Sequence, residues 1–543
     1  MNLLLAVVFA GALALAQRAG RSATWDPARF ADALNARWSP LVFGLLTSAI
    51  VRLVWRSFDQ PGIFHDERAY LLQADIFARG RWTASAPPLA AFFEQVHVFV
   101  EPSVFAKYPP AHAMMLAPGM LLRMPGLMPA LLAGAAGALT FWLARRVSNE
   151  WTAFVTWLLW TTAPITLFWS ASYMSETTTT VMWLAAASAT ALWLESGKPR
   201  YLVGAAAALA WGFDARPLTM VALAAPLAAI ILRSHVQRGG WRALAAPLLV
   251  ALAVMSVYAF WNRQTLGRWT SDPYAAYSRT YFPYDKPGFG VDSTPALRPL
   301  PPEFAPLAAS VRELHDQYQP STVPLAFAQR VAGVLMWYGA GWRLAIAALL
   351  LASLVRARGA ARFTAAASAC LVAAYLVFAH PPDWTVYYVE LLPGLHFLAA
   401  GALVDLFARS NGTPFTAAAR VPAAVARSAA LAAALLVPFC VVDVARARTM
   451  IDVRNEFHRR AEATIRSAPA NSILFVRYPA SQSPHLAVTR NEADLAGTRS
   501  WIVHDRGAEN ARLLSVAPER RGYVLDLSAF RLEPLADGRI VNR

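Results

Sequence analysis

The chain has 543 residues, of which 57% are hydrophobic and 15% are charged, and its formal net charge is +16. About a quarter of the residues in soluble proteins are charged, so this composition excludes an ordinary soluble enzyme and indicates a polytopic membrane protein. The basic residues lie between apolar runs rather than in one stripe, which argues against a nucleic-acid partner and is typical of residues that orient membrane spans.

The N-terminal part, residues 1–37, joins a short apolar run to a basic linker. The run from Leu3 to Ala16 ends like a signal-peptidase site, but no basic residue precedes it and Arg18 lies two residues after it. A secretory signal has the opposite charge distribution. We therefore expect a short extra helix here.

About eleven apolar segments follow, and each is expected to be a helix because backbone groups in lipid must bond within their own segment. Several are shorter than the ~20 residues that cross a bilayer untilted, and the adjacent pair 201–213 and 217–233 is predicted to be a bent or re-entrant hairpin. With the N-terminal run they predict an all-α polytopic membrane protein of about 11–12 transmembrane helices. The segments are 39–57, 127–144, 151–169, 175–194, 201–213, 217–233, 241–261, 340–355, 363–379, 388–407 and 425–445.

The short connections between these segments differ in charge, and the difference predicts their orientation. Alternate connections carry nearly all of the arginines and lysines, whereas the other set carries only Arg216. Basic connections stay in the cytoplasm. The connections at 58–126, 262–330 and 380–387, and the tail after about 446, are therefore expected to face the outside.

The tail changes character and predicts a separate small α/β domain outside the membrane. An amphipathic helix is expected at 453–467, followed by strands at 473–478, 501–503 and 523–527. The predicted parts are 1–37, the transmembrane domain 38–446 and the C-terminal domain 447–543.

Ionisable residues gather on the predicted outer face, and two stretches are the densest. Phe64–Tyr70 contains the adjacent carboxylates Asp66 and Glu67, and Lys107 precedes a Pro-Pro pair that stiffens the chain. An ionisable residue at the edge of a span is costly unless it lines a cavity or finds a partner. The alternative is an ordinary solvated loop, with Glu67 capping it or pairing with Arg68.

Further candidates lie at the same level. His112, Glu176, Arg216 and His380 could contact a substrate, while Tyr388 has an alternative interpretation as an aromatic belt residue at the membrane interface. The complete set of candidate residues is Asp66, Glu67 and Glu176 for catalysis, and Tyr70, Lys107, His112, Arg216, His380 and Tyr388 for substrate binding.

Four motifs together resemble the GT-C glycosyltransferases, in the branch of protein O-mannosyltransferase-like and lipid A aminoarabinose transferase-like enzymes. They are Asp66–Tyr70, Lys107–His112, Tyr173–Glu176 and Ala215–Pro217, within a resemblance that covers about residues 38–410. The chain departs from many relatives at Ala111, where they have glycine.

The resemblance implies roles for three residues. The carboxylate at Asp66 would act as base or orient the acceptor, and Glu176 would help to bind the acceptor or a metal. Lys107 would contact the donor phosphate. No cofactor follows from the sequence, and a divalent metal is an open alternative.

These residue types also suit an inverting transfer from a polyprenyl-phosphate sugar. A carboxylate can accept the proton of an attacking hydroxyl, and Lys107 and Arg216 can stabilise charge on the departing phosphate. The expected partners are this lipid-linked donor, membrane lipid and an unspecified glycan, lipid or protein acceptor, at the outer side of the cytoplasmic (inner) membrane. The aromatic segment 262–330 is expected to recognise the acceptor or to pack on the membrane surface.

Two other classes of protein are alternatives. A transporter or flippase for a lipid-linked saccharide would place its site near mid-bilayer on interrupted helices, whereas here the ionisable residues concentrate at the outer ends of spans. A membrane anchor for the tail domain would need far fewer spans.

Overall fold

The computed structural model describes residues 2–238, 244–338, 341–355, 358–411, 421–479, 483, 485–486, 488–536 and 539–540. Helices dominate up to Ser467, and a small strand-containing domain follows. This arrangement confirms the predicted fold class, an all-α membrane part with a C-terminal α/β domain.

The helices of the first half lie largely on the predicted segments. They are α1 (Asn2–Ser22), α2 (Ala28–Asn35), α3 (Ser39–Trp55), α4 (His65–Ala78), α5 (Pro110–Leu121), α6 (Leu127–Val147), α7 (Glu150–Thr161), α8 (Pro164–Ser170), α9 (Glu176–Ser196), α10 (Pro199–Phe213), α11 (Pro217–Arg238) and α12 (Ala245–Leu266).

The helices of the second half are α13 (Pro273–Tyr281), α14 (Ala305–Gln317), α15 (Val323–Tyr338), α16 (Leu344–Val355), α17 (Ala360–Tyr375), α18 (Leu392–Ser410), α19 (Ala423–Ser467) and α20 (Asn510–Val516). The first strands are β1 (Ala84–Ser85), β2 (Val98–Phe99) and β3 (Ser103–Ala106). The others are β4 (Ser472–Arg477), β5 (Ser500–His504), β6 (Arg521–Asp526), β7 (Arg531–Ala536) and β8 (Arg539–Ile540).

Five of the described helices are long and apolar enough to cross a membrane, and six if the bent pair α2–α3 counts as one span. Several other predicted spans form shorter or interrupted helices. The segment 151–169 divides into α7 and α8 at Pro164, because proline removes a backbone donor and restricts the residue before it. Part of the predicted spans 241–261 and 340–355 lies outside the described residues.

The N-terminal run is helical, as expected, and packs with one face against the bundle, whereas Val7, Val8 and Leu15 are exposed. Phe9 of α1 is fully buried, with its ring against Trp342 and Phe439. Close by, Arg343 donates to Asp443 of α19 at 2.7 Å and to the Leu159 carbonyl at 3.0 Å. A buried charge needs such compensation, so this pair fixes the position of α19 beside α7.

Both long connections contain regular structure, and they are called the first and second outer connections after the side predicted for them. Residues 58–126 form α4, α5 and a small antiparallel sheet with strand order β1-β3-β2. Residues 262–330 contain α13, α14 and the beginning of α15, so this segment is more ordered than its proline content suggests. Asp272 begins α13 by accepting hydrogen bonds from the backbone N–H groups of Tyr274 and Ala275, which is the role of an N-cap.

The C-terminal domain has the strand order β5-β4-β6-β7-β8, with β4 parallel to both of its neighbours. It packs on the first outer connection, where Phe93 contacts Trp501 and His504 bonds to the Glu94 carbonyl at 2.7 Å. The two parts therefore share a buried interface.

Candidate active site

A cavity of about 680 Å³ opens at one end of several helices, between the two long connections. A smaller chamber of about 100 Å³ adjoins it. Six residues line both the cavity and the chamber, and of these only Asp66 belongs to the candidate residues proposed from the sequence. The other five are Tyr108, Tyr274, Asp285, Phe378 and Tyr387.

Asp66 lies in the first turn of α4 and faces this cavity. Negative charge is favourable near a helix N-terminus, which suits a carboxylate at this position. The Tyr108 hydroxyl donates to Asp66 Oδ1, and His97 Nε2 lies 3.8 Å from Oδ2. The Asp66 side chain nevertheless stays 35% exposed. It is thus oriented by a neighbour and still accessible to a substrate.

Two groups beside Asp66 are held in their neutral forms. Burial and the Asp66 charge raise the pKa of Tyr108 well above its usual value, so its hydroxyl keeps the proton that it donates. Burial and the nearby Lys107 ammonium lower the pKa of His97 well below its usual value. His97 is therefore uncharged beside Asp66 at neutral pH.

Glu67 points away from the cavity and supports the backbone. It is only 1% exposed. Its Oε2 accepts from the backbone N–H groups of Ile63 and Phe64 at 2.6 and 3.1 Å, and its Oε1 accepts from that of Tyr173 at 2.9 Å. Since both oxygens are occupied, this geometry matches the capping alternative rather than a catalytic role.

Lys107 is buried beside the smaller chamber, with 2% of its side chain exposed. Its ammonium lies 4.2 Å from the centre of the Tyr274 ring and 3.8 Å from Asp285 Oδ2. Burial lowers the pKa of Lys107, and the Asp285 carboxylate opposes that shift. A desolvated ammonium interacts more strongly with an anion than one in water, so this position suits a negatively charged ligand.

Arg216 lines the larger cavity and binds two buried carboxylates behind it. Its Nη1 lies 3.2 Å from Glu390 Oε1 and 3.5 Å from Glu176 Oε2, and it also donates to the Val386 carbonyl at 3.2 Å. Both carboxylates pair with this guanidinium and lie behind the wall of the larger cavity rather than on it. The guanidinium is therefore already neutralised by protein groups.

Of the remaining predicted substrate-binding residues, one lines the cavity and the others are buried away from it. Tyr70 lines the cavity and donates to Ser175 Oγ at 3.1 Å. His112 is buried behind it between Thr178 and the Tyr173 carbonyl, each at 2.8 Å.

His380 and Tyr388 are also buried and bond to each other at 3.1 Å. Tyr387, the neighbour of Tyr388, lines the cavity in its place. Adjacent residues in a helical turn point in different directions, so the motif alone did not distinguish the two tyrosines.

Sequence reasoning did not name Tyr108 or Asp285 as members of the site, and it included Tyr274 only as part of an aromatic segment expected to recognise the acceptor. Tyr108 follows Lys107 directly and was available as a signal, because a residue next to a motif lysine is held in the same segment. Tyr274 and Asp285 come from the second outer connection, more than a hundred residues later, and only folding brings them here. Among the described residues, no group of three or more His, Cys, Asp or Glu side chains is arranged to hold a metal ion.

Part of the chain that contains this site is similar to a known protein family. Residues 107–261 match the family described as dolichyl-phosphate-mannose-protein mannosyltransferase. The matched segment is less than half of the chain and includes Lys107, Glu176 and Arg216. It confirms the resemblance to the protein O-mannosyltransferase-like branch of GT-C glycosyltransferases. No curated protein sequence matches the chain.

Solved structures with a related arrangement are remote. ArnT from Cupriavidus metallidurans bound to undecaprenyl phosphate is 15% identical, with 90% of each chain covered and a TM-score of 0.47. Its apo form is 14% identical, with 89% and 92% covered and a TM-score of 0.49. The oligosaccharyltransferase of Archaeoglobus fulgidus tethered to an acceptor peptide is 11% identical, with 90% and 69% covered and a TM-score of 0.39. At such scores, the function of this chain must be argued from its own residues.

Proposed function

We propose that this protein is an inverting membrane glycosyltransferase that moves a sugar from a polyprenyl-phosphate donor to an acceptor hydroxyl. The observation that carries the proposal is the joint lining of one aromatic chamber by an accessible carboxylate, Asp66, and a buried ammonium, Lys107. The match of residues 107–261 to a mannosyltransferase family supports the same reaction class.

Asp66 acts as the base in this proposal. The acceptor oxygen attacks the anomeric carbon while its proton passes to the Asp66 carboxylate. The bond between the anomeric carbon and the phosphate oxygen breaks on the opposite side, and that oxygen retains the electron pair. Tyr108 holds the carboxylate in position through its hydrogen bond. Attack opposite the leaving group inverts the anomeric centre.

Lys107 stabilises the charge that develops on the departing phosphate. Its low exposure supports this role, since an ammonium shielded from water interacts more strongly with an anion. Arg216 contributes positive charge at the cavity wall, but two carboxylates, Glu176 and Glu390, lie within 3.5 Å of it, whereas Asp285 lies 3.8 Å from Lys107. We therefore assign Lys107 as the main phosphate ligand and the Arg216 cluster as the wall that shapes the cavity.

The site is proposed to lie on the outer face of the cytoplasmic membrane, in keeping with the charge difference between the connections. The apolar helices place the site beside the lipid bilayer, which holds the polyprenyl chain of the donor, and the acceptor arrives from the outer side. The C-terminal domain, packed against the first outer connection, is proposed to share this side.

The donor class can be tested with purified protein in detergent. Radiolabelled polyprenyl-phosphate sugars are incubated with membrane extract, and the label is followed from the lipid to a new product. We expect transfer from at least one donor. Lys107→Ala should weaken donor binding, and binding is measured at a temperature at which the variant is folded, because the substitution also leaves the Asp285 carboxylate without the Lys107 ammonium.

The matched control for this experiment is Lys198→Ala, which removes an exposed lysine from a connection predicted to lie in the cytoplasm. It should bind and transfer the donor sugar as the wild type does. Equal loss in both variants, or full activity in Lys107→Ala, would contradict the phosphate role.

A further inference from the structure

Lys107 is paired in this structure with a carboxylate from a distant part of the chain. Its ammonium lies 3.8 Å from Oδ2 of Asp285, which belongs to the second outer connection. Asp285 lines both the larger cavity and the smaller chamber. Among the described residues, the carboxylate paired with Lys107 is that of Asp285. The Asp285 carboxylate therefore already lies beside Lys107, where the proposed donor phosphate would bind.

We propose that Asp285 is an internal counter-ion for Lys107 that competes with the product phosphate and thereby promotes its release. This inference rests on the proposed function and adds a residue to it. Asp285 does not touch the sugar or the attacking hydroxyl in this role; it sets how tightly the lipid phosphate is held.

A buried charge without a counter-charge is energetically costly. An ammonium that is 2% exposed needs a nearby anion, and the tyrosine faces around it balance only part of the charge. Before a donor arrives, Asp285 supplies that anion. The pair is longer than the roughly 2.8 Å of a charge-assisted hydrogen bond, so the carboxylate balances the ammonium without holding it closely.

The surroundings of Asp285 favour the ionised form of its carboxyl group. Burial raises the pKa of this carboxyl, but His315 and Lys107 lower it by more, so the net pKa lies below its usual value. His315 Nε2 lies 3.9 Å from Asp285 Oδ1, whereas Lys107 lies near the other oxygen, Oδ2. Because His315 lies near the oxygen that does not face Lys107, one of the groups that lower the pKa of Asp285 stays in place when a phosphate takes over Lys107.

The charge on the lipid phosphate changes during the proposed reaction. A polyprenyl-phosphate sugar is a phosphodiester with one negative charge, whereas the released phosphate monoester carries about −1.5 to −2 near neutral pH. Lys107 alone would therefore hold the product more tightly than the donor. A competing carboxylate weakens both complexes, and it offsets the extra attraction that would otherwise trap the product.

The binding of undecaprenyl phosphate, a defined phosphate monoester, tests this inference. Its dissociation constant is measured in detergent for the wild type, Asp285→Asn and Asp285→Ala, with melting temperatures recorded for each protein. Removal of the competing charge should tighten binding by about tenfold, an effect of the size typical of close charge pairs at binding sites. Turnover of Asp285→Asn should then show a fast first cycle followed by slow release.

Asp316→Asn is the matched control, because it removes one exposed carboxylate from the same outer connection. Its binding constant should equal that of the wild type. Unchanged or weaker binding in both folded Asp285 variants, with normal binding in the wild type, would overturn this inference alone. Failure of the wild type to bind the lipid phosphate would contradict the proposed function itself and the inference with it.

Discussion

Asp66 and Glu67 are neighbours in the chain, yet their side chains have opposite surroundings. Asp66 reaches an accessible cavity wall, whereas three backbone N–H groups occupy the oxygens of Glu67. Successive helix residues point about 100° apart, so one acid can serve chemistry while the next holds the loop. Substitution of each residue in turn can therefore distinguish the two roles.

Asp66→Asn is expected to reduce sugar transfer by about 10²- to 10⁴-fold, since the amide keeps the shape of the side chain but cannot accept the proton. The measurement is the rate of label transfer from the lipid donor. Asp75→Asn, which removes an acid from the other end of the same helix, is the control and should retain activity. Wild-type transfer in a well-folded Asp66→Asn protein would show that Asp66 is not the base.

Glu67→Gln is expected to affect stability instead. The amide retains one oxygen but turns an NH₂ group towards backbone donors, and an unsatisfied buried donor costs about 1–3 kcal/mol. The melting temperature in detergent should therefore fall, whereas that of Asp66→Asn should stay near the wild-type value. A Glu67→Gln protein that melts normally but has lost all transfer would indicate a direct catalytic role.

At the scale of helices, the first outer connection is supported by close packing of α3 against α6. The Ser48 hydroxyl donates to the Ala130 carbonyl at 2.9 Å, and an added Cβ on Gly44 would lie 2.8 Å from the Gly134 carbonyl oxygen. Small residues allow such approach in membrane proteins, where van der Waals packing drives helix association. This contact positions the start of the connection that carries Asp66.

Gly44→Ala should consequently destabilise the protein, although alanine is the better helix former. The methyl group meets a backbone oxygen that cannot rotate away, and overpacking costs about 1–3 kcal/mol. Gly401→Ala is the control, because no atom lies within 4 Å of its added Cβ, and we expect an equal or slightly higher melting temperature. Similar effects of the two substitutions would show that α3 and α6 do not pack this closely.

At the scale of the molecule, the proposed reaction requires the cavity and the C-terminal domain to face the outside. Single cysteines at the exposed residues Ser85, Ser293 and Ser196 test this orientation, after Cys370 and Cys440 are replaced by alanine. The first two should react with an impermeant thiol reagent in intact cells, and the third should react only after lysis. The reverse pattern would overturn the orientation inferred from the arginine asymmetry.

The C-terminal domain is attached to the membrane part by buried charge as well as by aromatic contacts. Arg68 of α4 donates to Glu462 of α19 at 3.3 Å, and Arg490 also pairs with this carboxylate. Helix α19 continues without interruption from the bundle into this domain, so the predicted boundary at 446 falls inside one helix. The two predicted parts thus share a helix and an interface next to the helix that bears Asp66.

Much of the architecture was determined by the sequence itself. The composition and the apolar segments predicted a helical membrane protein, because lipid leaves the backbone no partners outside its own segment. The strands at β4, β5 and β6 followed from short apolar runs separated by polar turns. The motifs around Asp66, Lys107 and Arg216 predicted residues that do border the cavities, since the reactive groups are dense where the chain leaves the membrane.

Only the tertiary structure decided which side chains face the cavity and which lie behind it. Glu67, His112 and Tyr388 look as suitable in sequence as Asp66, Tyr70 and Tyr387, but their directions depend on how each turn packs. The pairing of Lys107 with Asp285 joins residues from two separate connections, so no local pattern could predict it. The local spacing of apolar residues specifies which segments form helices and strands. Which side chains line a site between those helices and strands depends on how they pack together, and a single sequence does not show that packing.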